Sequence, residues 1–175
     1  MIASLQRIIP APLVTEAIGI GPAEIARIRA RTSFNAGFKY PGERALYYSE
    51  RDALTLALIS DLRSGHMPLA DAADTAAFAV ESVDVEHQVD SRPFLYARVL
   101  VSEDGQGEAR VIFGSDALCD RLTQDAGIAY VVDLVAFSER VLTKLRTYLD
   151  AFLERGDRSV EDVADKIGFQ EQDDE

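Results

Sequence analysis

Pro12-Leu-Val-Thr-Glu-Ala-Ile-Gly19, followed after Ile20-Gly21 by Pro22-Ala-Glu-Ile-Ala-Arg-Ile-Arg-Ala-Arg31, is the stretch on which the fold turns. Proline suits the first turn of a helix, because its missing N–H would be unsatisfied there anyway. Glycine suits the residue just past the end, where a left-handed conformation closes the last carbonyls. The punctuation therefore predicts one short helix from Pro12, stopped at Gly19, and a second from Pro22 to Arg31. Two short helices joined by a Gly-containing turn of about three residues form the pattern of a helix-turn-helix.

Working outward, Asn35-Ala-Gly-Phe-Lys-Tyr-Pro-Gly-Glu-Arg44 is rich in turn formers and aromatics, and Ala45-Leu-Tyr-Tyr48 reads as a short extended piece. A hairpin there would be a wing. Ser49 is a good N-cap, and Asp52 puts a carboxylate in the first turn, where the helix dipole favours it. Leu54, Leu58 and Leu62 recur every four residues and predict one apolar face, with Gly65 as the stop. Pro68 opens a further helix whose Leu69, Ala72, Ala73, Ala76, Ala77 and Val80 make a narrow face suited to close helix contact.

These residues carry a resemblance. The string Tyr48-Ser49-x-x-Asp52-x-Leu54-x-Leu56-x-x-Ile59-x-x-Leu62-Arg63-x-Gly65-x-x-Leu69-x-Asp71-Ala72 resembles the end of the wing and the two helices after it in MerR-type regulators. Ala17-x-Gly19-Ile20 resembles their first helix and turn. Two departures stand out. Such regulators usually carry an Arg followed by aromatics in the second helix, where this chain has Ala26, Arg27 and Ile28. They usually place an Arg two residues before the Tyr-Ser pair, where this chain has Leu46. Arg27 and Arg44 are expected to stand in for those phosphate contacts. The resemblance implies a winged helix-turn-helix over residues 1–82 that binds double-stranded DNA, and a role in transcription regulation.

Beyond Ser82 the composition changes. Residues 82–92 are polar and acidic, so residues 83–92 are expected to be a linker. Phe94 to Val101 and Ala109 to Phe113 are β-rich around a Glu103-Asp-Gly-Gln-Gly107 turn, which predicts a hairpin. Ser115 is expected to cap a helix to about Asp125, Ile128 to Leu134 to form a third strand, and Ala136 to Glu154 a long helix. Ser159 with Asp162 would cap a short final helix before an acidic stretch from Gln170 to Glu175. The fold class is therefore mainly α with an α+β C-terminal part: a winged helix-turn-helix, a linker, and an acidic α+β domain over 93–175 for dimerisation, partner binding or effector sensing.

Charge bears directly on that function. The chain carries a formal −12, with 8 Lys/Arg against 9 Asp/Glu in residues 1–82 and 10 against 21 in residues 83–175. From Glu24 to Arg51 the balance reverses, with Arg27, Arg29, Arg31, Lys39, Arg44 and Arg51 against Glu24, Glu43 and Glu50. That local field governs phosphate contact, since charges beyond roughly 10 Å are largely screened at cellular salt. On the second helix Glu24, Arg27 and Arg31 share one face through i+3 and i+4 steps, and Ile25 and Ile28 share another, with Arg29 at the core edge. Arg27 and Arg31 are the expected major-groove residues. Lys39, Tyr40 and Arg44 are the expected wing contacts. Of Tyr47 and Tyr48 one is expected in the core, leaving Tyr47 for phosphate.

The long helix carries Leu134, Val141, Leu145, Tyr148 and Phe152 at heptad-like spacing broken by Ser138. This seam is the candidate homodimer surface, and packing on the strands of its own domain is the alternative. One cysteine and two histidines cannot make a four-ligand zinc site or an internal disulfide. There is no Gly-rich phosphate loop, Cys119 reads as a small core residue, and neither His66 nor His87 has an evident partner. No enzyme activity, metal or cofactor is therefore expected. With no apolar run of about 18 residues, no membrane partner is expected; the expected location is the cytoplasm, at the nucleoid. The rival function is an acidic protein-interaction factor, such as a phage or mobile-element assembly accessory protein built on a DNA-binding fold.

Overall fold

The computed structural model describes residues 8–39, 45–85, 92–98, 108–124 and 129–154. Strand β1 (Ile8–Pro10) leads into α1 (Ala11–Ile18), and α2 (Pro22–Arg31) follows after a three-residue turn. Gly19 closes α1 at φ 72°, and its N–H donates to the Thr15 carbonyl at 2.9 Å. An L side chain is strained at that φ, so glycine here fixes where the helix stops. Strand β2 (Tyr47–Ser49) pairs antiparallel with β1, setting Ile9 opposite Tyr48.

Ser49 ends the strand and starts α3 (Glu50–Ser64) through a reciprocal cap. Its hydroxyl accepts from the Asp52 N–H, and its own N–H donates to the Asp52 carboxylate, both at 3.0 Å. The apolar face expected for α3 is only part of what the helix buries. Every residue from Ala53 to Ile59 is inside, because α1, α4, α6 and β2 surround it. Thr55 is accommodated there by donating its hydroxyl to the Arg51 carbonyl.

Helix α3 stops at Gly65 as expected, although the left-handed conformation falls one residue later: Gly65 has φ −83° and His66 φ 68°. Glycine is required at 65 for space, since a Cβ there would land on the ring of Tyr130. In α4 (Leu69–Val85) the buried alanines are Ala72, Ala73, Ala76 and Ala79, whereas Ala77 is exposed. The helix also runs three residues past the start of the expected linker.

The second sheet is antiparallel in the order β4-β3-β5. Strands β3 (Pro93–Arg98) and β4 (Glu108–Phe113) pair as the expected hairpin, and β5 (Ala129–Asp133) joins the other side of β3. Leu95 and Ala97 of the central strand belong to the main core. Tyr96, also fully buried, lies beneath the Arg121 guanidinium of α5 (Ser115–Gln124) at 5.8 Å. Cys119 of α5 is exposed and not a core residue, because Leu118 is the residue that this helix turns inward.

Helix α6 (Leu134–Glu154) lies against α1, α3 and β3. One buried cluster runs from Ile9 to Leu149, so the core does not stop at residue 82. Polar ties cross the same line. Arg146 of α6 reaches the buried Glu50 at 3.4 Å, Arg140 reaches Asp61 at 3.3 Å, and the Tyr130 hydroxyl donates to the Gly65 carbonyl. Among the described residues no helix is long and apolar enough to cross a membrane. The expected final helix at Ser159 lies outside the described residues.

Candidate functional site

Helix α2 is held by its inner face. Ile25 and Ile28 are 4% and 1% exposed and anchor it to the core, and Ser33 just beyond it donates to Asp74 of α4 at 2.9 Å. With those positions fixed, a 100° turn per residue leaves Glu24, Arg27 and Arg31 on the outer side. Arg31 is exposed and Arg27 is half-buried along the helix. The Arg27 Nη2 donates to Glu24 Oε1 at 2.5 Å, and the Arg27 Nε is shut away from solvent without a hydrogen-bond partner. The side chain is thus folded back toward the start of its helix, presenting the end of its guanidinium.

Arg29 lies to the other side, as the periodicity predicts. It is exposed and, with Tyr48, lines a cleft of about 290 Å³ together with Pro12, Thr15, Ala26 and Leu46. Burial pushes the Tyr48 hydroxyl above its ordinary pKa of 10.0, and the neighbouring Arg29 charge partly opposes that. A second cleft, of about 380 Å³, lies between the α1–α2 turn and the end of α3, lined by Gly19, Gly21, Glu24, Ser60 and Arg63.

The wing is described at its base. Phe38 and Tyr47 exchange two backbone hydrogen bonds at 2.9 and 3.0 Å, so β2 is flanked by β1 on one side and by Phe38 on the other. Gly37, at φ 83°, makes the approach possible. A Cβ there would sit 2.8 Å from Tyr48 Cε1 and 3.0 Å from the Tyr47 carbonyl. Lys39 is exposed at the rim. Tyr40 and Arg44, the other expected wing contacts, lie outside the described residues.

Two expectations need correction. Tyr47 does not alternate outward: it is 5% exposed and Tyr48 1%, so both rings are core. Tyr47 stacks on Phe38 with centroids 6.2 Å apart, which helps to cover its ring. Nor is the heptad-like seam a surface. Leu134, Val141 and Leu145 are 1%, 9% and 0% exposed within a single chain, and Tyr148 and Phe152 pack partly buried on the same core. Helix α6 spends most of that face on α1 and α3 of its own chain.

Sequence reasoning missed Glu50. A glutamate in the first turn reads as a solvated acid suited to the helix dipole, yet it is 1% exposed and faces Arg146, 96 positions away. Nothing local marks such a pair. Among the described residues no group of three or more His, Cys, Asp or Glu is placed to hold a metal ion. No protein-family model matches the chain, and no curated protein matches it either.

Proposed function

We propose that the chain binds double-stranded DNA through the outer face of α2, with the segment around Lys39 touching the flanking backbone, and that it acts as a transcriptional regulator resembling the MerR type. One observation carries this reading. In a chain of formal charge −12, Arg27 and the exposed Arg31 lie together on one flank of α2, which Ile25 and Ile28 seat on the core. A helix seated on its apolar face with Arg side chains outward has the shape and chemistry that a major groove admits. The wing base, gripped by Gly37, Phe38 and Tyr47, ends at the exposed Lys39.

The acidic residues 83–175 favour a second reading, a protein-interaction or assembly factor that keeps a DNA-binding shape without using it. A binding titration separates the two. The full chain is incubated with a random-sequence duplex library at low and moderate salt, and bound fragments are sequenced. Recovery of a recurrent motif whose binding is lost in Arg31→Ala supports the regulator. Failure to retain any duplex at low salt, by a folded protein, overturns it in favour of the second reading. The α6 seam being buried, any two-fold arrangement on DNA must use another surface.

A further inference from the structure

On the outer face of α2 an acid sits among the cations. Glu24 occupies the position where a DNA phosphate would otherwise be welcomed, one turn before Arg27 on the same side. Its carboxylate holds the Arg27 Nη2 at 2.5 Å, with the two side chains 38% and 40% exposed. As a stability feature such a pair counts for little, since exposed ion pairs of this kind contribute about 0–1 kcal/mol. Its effect on recognition is larger, because it changes what Arg27 can bind.

A lone guanidinium takes a phosphate oxygen readily and gains from the release of condensed counterions. A guanidinium already paired with a carboxylate is close to neutral as a unit. It gains little from counterion release, and Glu24 itself repels an approaching phosphate. The hydrogen bonds that remain are directional. Nε is shut against the helix and one Nη2–H is taken by Glu24, so the free donors are those on Nη1 and the second hydrogen on Nη2. An end-on pair, one N–H from each Nη, would match the adjacent N7 and O6 acceptors of guanine in the major groove.

We infer that Glu24 is a specificity-determining residue: by holding Arg27 end-on and cancelling its net charge, it directs that arginine to a guanine edge and away from the phosphate backbone. This rests on the DNA-binding reading above. Arg31 and Lys39, which are both exposed, are left as the phosphate contacts.

The test uses the full chain and two duplexes of equal length, one selected from the random library and one of alternating A·T with no guanine. Affinity is measured from 50 to 200 mM salt for the unsubstituted protein, Glu24→Gln, Arg27→Gln and the double variant, with circular dichroism as a control for folding. In Glu24→Gln the freed Arg27 should take a phosphate. The salt slope on the A·T duplex should steepen by about 0.9, equivalent to roughly a three- to fourfold larger drop across that range. Preference for the selected duplex should fall by roughly tenfold or more, on the scale of one bidentate base contact. In the Arg27→Gln background the same change at Glu24 should leave the preference unchanged, since Glu24 acts on it through Arg27. An unchanged slope and preference in Glu24→Gln would overturn the inference while leaving DNA binding intact. Equal effects with and without Arg27 would overturn it too, as general acid repulsion. If the unsubstituted protein binds neither duplex, the DNA-binding reading itself falls, and this inference with it.

Discussion

Replacing Leu145 with alanine tests where the face of α6 is spent. Leu145 is fully buried in the cluster that joins α1, α3 and α6. Truncating a buried leucine removes its transfer free energy and leaves a cavity that neighbours fill only in part. Measured costs are about 2–5 kcal/mol. The site lies mid-helix, between Leu142 and Leu149 and beneath α1 and α3. Helices held from several sides collapse poorly around a void, so about 3 kcal/mol is expected. For a cooperative unit of this size that lowers Tm by about 6–12 °C. The assay is urea unfolding followed by circular dichroism at two protein concentrations tenfold apart, with Phe78→Ala as a control. Phe78 is 50% exposed and should change stability by no more than about 0.5 kcal/mol. Both midpoints should be independent of concentration. A loss below about 1 kcal/mol, or a midpoint that rises with protein concentration as a subunit seam requires, would refute the packing described for α6.

The wing base should be equally sensitive: Gly37→Ala meets both a φ of 83° and Tyr48 Cε1 at 2.8 Å, so at least about 1–2 kcal/mol of stability should be lost, read by thermal unfolding. Ser49→Ala removes half of a reciprocal cap and should cost about 1 kcal/mol by the same measurement. Tyr48 carries a pH signature. Its folded pKa is raised, so its contribution is fully present below pH 10.0 and is lost as pH rises through the folded value; Tm should fall above about pH 10, and less so in Tyr48→Phe. Because the core crosses residue 82, a fragment of residues 1–82 should unfold without a cooperative transition, whereas the full chain should show one.

What could be read from the residues was what the backbone alone decides. Pro12, Gly19 and Pro22 bound α1 and α2 through φ constraints that hold in any surroundings, and Ser49 with Asp52 caps α3 by contacts three residues apart. The β3–β4 hairpin announced itself by turn residues between β-rich runs. The misreadings share a physical origin. Tyr47 and Tyr48 are both buried, against the alternation expected of a half-exposed strand, because Phe38 stacks on one and the main core takes the other, partners that only the fold brings near. The spacing of Leu134, Val141 and Leu145 says that α6 has an apolar face and is silent on what covers it. Gly65 ends α3 as expected, but what requires glycine there is the space taken by Tyr130, 65 residues on. For the candidate site, periodicity correctly placed Ile25 and Ile28 inward and Arg31 outward, but the Glu24–Arg27 pairing needed rotamers.

The same contacts bear on how so acidic a chain could approach a polyanion. Three polar ties and a shared core fasten the described strands of the second sheet and α6 to α3. Helix α6 packs on α1, α3 and α4, and α2 also contacts α4. With screening over roughly 10 Å, the charges that govern a phosphate at α2 are those carried close to it. The acids that matter are those on the outer face of α2 itself. Glu24 is the one already joined to an arginine there, so on the DNA-binding reading proposed above it is the acid placed to set selectivity for base edges over bare phosphate.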